Sequence, residues 1–422
     1  MADEDIYGSK RAYEGFKASL DTLLSLSSSG KRKRKYFCKN KDNLNYFRRL
    51  FAYFESRDLS FIRRIRILQS MKFICNFTDK DLRACDREDI NTIMSEMHNA
   101  YKSPRAKETF IKDLKYIWKA LFPENDERGR SDENIVPYVV RHISGKIDKS
   151  RQKIRTDKLS ADEIDSLMTY FSTEPRMQAY IAFAIESLAR PQEILGRRIE
   201  NLELYQNYAK IYLTEHGKEG VGLLQCIDSY PYLVKWLDVH PFKANKASYI
   251  FLNTGNAKKG KQMRPENVNK MFRKACKDLG INKPITCYSL KRNGVTLRRL
   301  RGDSDVEIQH AARWSSTKQL KTYDLSNQDE AFNIALKKRG LISDDLVSKT
   351  TFETRECPFC KAMVGFSETI CPKCKHIISR DAILKELKKD DEISKLKQDM
   401  EDMKKRVAED WMREVLATKG MN

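Results

Sequence analysis

The chain has 422 residues, 40% of them hydrophobic, which is enough for more than one packed domain and argues against wholesale disorder. Lys and Arg number 80 against 59 Asp and Glu, a net charge of +21, so the surface suits polyanionic partners whose bound counterions are released on contact. No stretch approaches the roughly eighteen unbroken apolar residues of a membrane span, and the acidic opening MADEDIYGSK does not read as a secretory signal, so a soluble, intracellular protein is expected.

Residues 1–35 end in a Ser run and the block Lys31–Lys35 (KRKRK), a composition that cannot bury itself and predicts a flexible basic arm. Over 36–123, apolar residues recur at helical spacing, as in Phe47, Leu50, Phe51 and Phe54, with basic residues between them. This predicts a small all-helical domain with positive faces. The polar stretch 124–157 is expected to link two domains, with its IVPYVV segment packing locally. Ser160 and Glu163 then make a capping box, in which hydroxyl and carboxylate satisfy the free amides of a helix start, and a new domain opens over 158–345. Its helices are interrupted by two alternating runs, KIYLTEHG and GVGLLQCI, expected as a hairpin. The fold class is therefore α+β, mainly helical with a small sheet. A second capping box, Ser304 to Glu307, starts a helix that turns Ile308, Ala311 and Ala312 inward and ends near Arg313 and Trp314.

Six cysteines are scattered singly, a pattern of buried thiols in a reducing compartment. The other four, Cys357, Cys360, Cys371 and Cys374, read CPFC, ten residues, CPKC. Two such knuckles bring four thiolates around one tetrahedral ion, so 355–378 is expected to be a small module with structural zinc. His376 could replace one ligand, though four cysteines make that unnecessary, and the intervening loop KAMVGFSETI has no array of basic residues for reading bases. Residues 379–418 read as a charged helix in which Ile393, Leu396, Met400, Met403 and Val407 form an apolar stripe. Self-association as a short coiled coil and docking in cis both fit it.

Three places carry candidate chemistry. Arg190, in SLARPQEILGRR, precedes Pro191, which disfavours helix for the residue before it and suits the first turn of a new one. The guanidinium is thus held at a break between helices as a rigid fork for phosphate. Lys218, in HGKEG, lies at the tip of the expected hairpin, where Gly217 and Gly220 permit the turn. The third is the segment from Cys287 to Ser326, in which Tyr323 lies nine residues beyond Trp314.

The order and spacing of these residues resemble the tyrosine recombinases. That family has an arginine in a helix-break motif, a lysine on a β-hairpin, an H-x-x-R helix, a G-H/W motif and a tyrosine nine residues further on. Here these are Arg190, Lys218, the helix at Tyr288–Lys291, Trp314 and Tyr323, with Gly302 and Gln309 at the family's supporting positions. The resemblance covers about 158 to 335, and the preceding helical domain resembles the family's core-binding domain. The WLDVHPF segment and the paired cysteines resemble its archaeal branch. Two positions depart from the pattern: Tyr288 stands for the histidine of H-x-x-R, and Lys291 for its arginine, with Arg292 next to it. Lys291 and Arg292 are both candidates for the second phosphate-binding cation.

The resemblance implies that Tyr323 attacks a DNA phosphodiester to give a 3′-phosphotyrosyl intermediate. Arg190 and Lys291 or Arg292 would neutralise charge on the phosphate, and Lys218 would protonate the departing 5′-hydroxyl. Trp314 would pack against the site and donate its indole N–H, and Tyr288 would take the histidine's place. Neither metal nor nucleotide is needed for these steps. The implied partner is double-stranded DNA carrying recombination sites, bound by a homotetramer on paired sites, and the implied location is the cytoplasm, on the nucleoid. The competing readings are a DNA-binding regulator or architectural protein on the same fold that no longer cuts, and a type IB topoisomerase.

Overall fold

The computed structural model describes residues 7–24, 36–148, 155–213, 221–342, 354–365, 368–371, 373–378, 389 and 392–409. The chain divides into two units, 1–155 and 156–422.

The first unit is helical: α1 (Ser9–Ala18), α2 (Leu44–Ser56), α3 (Phe61–Phe77), α4 (Arg87–Ala100) and α5 (Pro104–Leu121). The apolar spacing read in α2 is its buried stripe, for Phe47, Leu50, Phe51 and Phe54 all enter the core with Ile67, Met71 and Ile74 of α3 and Phe110, Leu114 and Trp118 of α5. Asp86 caps α4 reciprocally with Asp89, and Pro104 opens α5. Arg66 forks onto the buried carboxylate of Asp113, which ties α3 to α5.

Two boundaries differ from expectation. Residues 9–24 are not an arm: α1 and the turn after it place Tyr13, Leu20 and Leu23 in the core, with the Tyr13 ring 5.8 Å from Phe51 edge-on. Burial of these few apolar side chains outweighs a polar average composition. The KRKRK block lies outside the described residues. The stretch expected as a linker is also mostly part of this unit. It forms a short hairpin, β1 (Glu124–Asn125) with β2 (Ser131–Asp132), and α6 (Tyr138–Arg141), with Val140 and Ile143 buried in the helical core and Lys115 donating to the Ile143 carbonyl.

The second unit is α+β. Ser160 and Glu163 make the expected capping box at the start of α7 (Ala161–Tyr170). The next helix, α8 (Pro175–Ser187), is buried along nearly its whole length, mostly apolar but with Arg176, Gln178 and Glu186 buried on it as well. The short α9 (Pro191–Leu195) follows. An antiparallel sheet of β3 (Leu202–Leu204), β4 (Ala209–Leu213) and β5 (Gly222–Cys226), in that order, contains the expected hairpin. Its last described pair is Leu213 with Gly222, so Lys218 lies outside the described residues. Then come α10 (Tyr230–Asp238), α11 (Pro265–Asp278), α12 (Cys287–Arg301), α13 (Asp305–Ala311), α14 (Leu320–Tyr323) and α15 (Gln328–Lys338).

Helix α8 packs between α10 and α12. A Cβ on Gly294 of α12 would come 2.1 Å from the Ile185 carbonyl oxygen, so glycine sets how closely α12 approaches α8. The buried Glu186 carboxylate accepts from the amides of Ile227 and Ser229 and the Ser229 hydroxyl, fastening the end of β5 and the start of α10 to α8. Burial pushes this carboxyl up despite those hydrogen bonds.

Strands β6 (Arg355–Glu356) and β7 (Met363–Val364) pair in the cysteine module. The module sits on α10: Lys235 pairs with Glu368 at 2.9 Å, and Gly365 lies so close to Tyr232 that a Cβ there would overlap the ring. Residues 392–409 are helical, and Ile393, Leu396, Met400, Met403 and Val407 are exposed on them. The apolar stripe therefore docks on nothing among the described residues. No helix among the described residues is long and apolar enough to cross a membrane.

Candidate active site and cysteine cluster

Tyr323 is the last residue of α14 and half-buried, and its ring lies 5.1 Å from that of Trp314, tilted by 33°. Two devices hold this pair. Gln309 Nε2 donates to the Trp314 carbonyl at 3.0 Å, while beyond Tyr323 the Leu325 amide donates to Thr296 Oγ1 of α12 at 2.9 Å. Leu188, Val295, Ile308, Ala312 and Leu320 form the apolar bed beneath. Trp314 is buried, and its indole N–H has no hydrogen-bond partner among the described residues. Gly302 closes α12 at φ 102, a left-handed C-cap that glycine adopts without a Cβ penalty, and so lets the chain turn into α13.

Helix α12 presents two faces. Tyr288 and Lys291, one turn apart, share one of them. Lys291 is fully buried, with Nζ 5.5 Å from the Trp314 ring and 5.2 Å from the Tyr323 ring. Tyr288 donates its hydroxyl to Gln192 Oε1 at 3.3 Å, next to the helix break. The other face carries Ser289, Arg292 and Asn293 towards the first residues of the unit. Arg292 is locked onto Asp157, with Nε at 2.8 Å from Oδ2 and Nη2 on the same oxygen. Ser289 Oγ adds a hydrogen bond of 2.7 Å to that oxygen, and Asn293 bonds both the Asp157 carbonyl and the Leu159 amide. Burial pushes the Asp157 carboxyl up, but the Arg292 and Ser289 hydrogen bonds outweigh it and hold the group below the ordinary carboxylate range. Of the two candidate cations, Lys291 is therefore the one brought to Tyr323, and Arg292 is engaged elsewhere.

Arg190 stands where the sequence suggests, as the N-cap of α9 at φ −75 and ψ 151, and only 5% exposed. Glu193 accepts from its backbone amide at 2.7 Å and lies 3.4 Å from its Nη1. The same carboxylate accepts from Arg313 Nη2 at 2.8 Å. Arg313 has no role in the sequence reading. The one available signal is that it fills the G position of the G-H/W motif. His310 is exposed on α13.

The four cysteine sulfurs of the C-terminal module all lie within 4.8 Å of one another, with Cys357 to Cys374 and Cys360 to Cys371 each 3.6 Å apart. A tetrahedral ion with bonds of about 2.3 Å sets its ligand atoms roughly 3.8 Å apart, so the donor set fits. The two knuckles are built alike: Lys361 and Lys375, each just after the second cysteine, are left-handed at φ 59 and φ 64, and their amides return to the carbonyls of Cys357 and Cys371.

The fold is that of the tyrosine recombinases. The chain is similar to the XerH site-specific recombinase bound to a palindromic difH substrate, with 16% identity, a TM-score of 0.53, and coverage of 78% of this chain and 97% of that one. A lambda integrase dimer bound to a COC′ core site matches with 16% identity and a TM-score of 0.52 over 74% of this chain and 86% of that one. The Tn1549 transposon integrase in complex with transposon right end DNA matches with 11% identity and a TM-score of 0.52 over 70% and 99%. Residues 157–330 match the phage integrase family. No curated protein matches the sequence.

Proposed function

We propose that the protein is a site-specific DNA recombinase that breaks and rejoins double-stranded DNA through a 3′-phosphotyrosyl intermediate on Tyr323. The observation that carries this reading is the packing of Tyr323 on Trp314 with the buried Lys291 ammonium over both rings. A cation buried there would stand beside the phosphate under attack once DNA is bound and offset its charge.

In this scheme the phenolic oxygen releases its proton to solvent and bonds to phosphorus, the bond to the 5′-oxygen breaks, and that oxygen takes a proton from Lys218. Arg190 grips a non-bridging oxygen from the helix break, Lys291 serves as the second cation, and the Trp314 indole N–H and Tyr288 line the phosphate from the α12–α14 side. No metal or nucleotide takes part. Zinc held by Cys357, Cys360, Cys371 and Cys374 stiffens the module seated on α10. Paired DNA sites, bound by four copies of the chain on the nucleoid, complete the proposal. The recombinases of similar fold include a lambda integrase tetramer bound to a Holliday junction.

Nicked duplexes tiled across the DNA that flanks the gene test this, because a nick lets the cleaved strand diffuse away and traps the adduct. The expected result is a denaturant-stable protein–DNA adduct with wild type and none with Tyr323→Phe. Binding by both proteins with no adduct from either would favour a non-cutting DNA regulator.

A further inference from the structure

Arg313 is held in a conformation that its side chain does not favour. It is the residue after the C-cap of α13, at φ 55, where glycine is the usual occupant because a Cβ crowds the following carbonyl. The strain comes with a specific arrangement. The aliphatic stem lies across the backbone of Gly222, the first residue of β5, where an added Cβ would stand 2.7 Å from Arg313 Cδ. The guanidinium is 11% exposed and reaches Glu193, the carboxylate that also holds Arg190. Two guanidiniums thus converge on one carboxylate at the helix break. Nε and Nη1 of Arg313 remain buried with no hydrogen-bond partner among the described residues. Buried N–H donors of a charged group are costly to leave unsatisfied, and an anionic oxygen placed against Nη1 would satisfy one of them.

We propose that Arg313 is a further catalytic residue, whose Nη1 contacts a non-bridging oxygen of the scissile phosphate. This rests on the recombinase reading and deepens it. The guanidinium that the H-x-x-R helix lacks, where Lys291 stands for arginine and Arg292 is tied to Asp157, enters from the turn after α13, one residue before Trp314. The contact makes and breaks no covalent bond, and it supplies fixed positive charge as the phosphate becomes pentacoordinate.

In Arg313→Gly the left-handed strain is relieved and the buried Glu193 keeps Arg190 as its counter-ion, so the fold is expected to survive and is checked by thermal melting. On a nicked duplex that wild type cleaves, the variant is expected to bind DNA yet form adduct about 10²-fold more slowly. A duplex with a methylphosphonate at the scissile position removes the negative charge that Arg313 would neutralise, and on it the variant is expected to recover the wild-type rate. Arg313→Lys, which keeps the stem and one charge, is expected to fall between the two and is the second probe should the glycine variant unfold.

Cleavage by Arg313→Gly at the wild-type rate overturns the proposal, as does a loss that the neutral phosphate fails to recover. The absence of any wild-type adduct on bound duplexes would overturn the recombinase reading itself, an outcome distinct from either.

Discussion

Lys291 and Arg292 are neighbours in sequence and about 100° apart around α12, and that rotation separates their tasks. Replacing Lys291 by Ala should slow adduct formation by about 10²-fold or more with the unfolding midpoint little changed, as measured by single-turnover cleavage and thermal melting. Replacing Arg292 by Ala should instead destabilise the second unit by about 3 kcal/mol, because it leaves the buried Asp157 carboxylate without its counter-ion. Asp157 is held below its unfolded value, so its pairing contributes stability that is present above about pH 4 and lost as pH falls through the folded pKa. The stability of Asp157→Asn, followed by denaturant melts from pH 7 downward, should therefore be lower than wild type at neutral pH and converge with it in acid. Persistence of the full neutral-pH gap in acid would contradict the assignment. Arg190, Trp314 and Tyr323 were legible in the sequence because each is marked by its own motif. The choice between Lys291 and Arg292 was not, for it depends on a carboxylate 135 positions away. The contact of Arg313 is equally illegible in sequence, since its partner Glu193 is 120 positions distant.

At the scale of elements, local signals were the reliable ones. The capping boxes at Ser160 and Ser304 each open a helix, because the hydroxyl and carboxylate that satisfy the first amides lie within four residues. The β4–β5 hairpin followed from strict alternation. Segments whose structure comes from packing were harder to see. Residues 9–24 and 124–148 are polar on average and fold because a few side chains, Tyr13, Leu23, Val140 and Ile143, find a core supplied by distant helices. The close approach of α12 to α8 is likewise invisible in sequence, though it aligns Lys291 with Tyr323. Gly294→Ala forces a methyl against the Ile185 carbonyl and Leu188, and should destabilise by about 1–3 kcal/mol. It should slow cleavage as well, by shifting the helix that carries Lys291. A variant as stable and as active as wild type would show that the helices have room to spare.

At the scale of the whole molecule, an excess of 21 positive charges agrees with DNA as partner but distinguishes no chemistry. The cysteine module makes a separate prediction: elemental analysis of purified protein should find zinc stoichiometric with the chain, and Cys371→Ser should abolish it. Wild-type protein without metal would contradict the zinc assignment and leave the cleavage chemistry untouched. Whether the oxygen of Tyr323 becomes bonded to DNA is answered by mass spectrometry of the trapped, nuclease-trimmed adduct. A nucleotide remnant is expected on the peptide containing Tyr323, attached to that side chain. A remnant on any other residue would contradict this assignment.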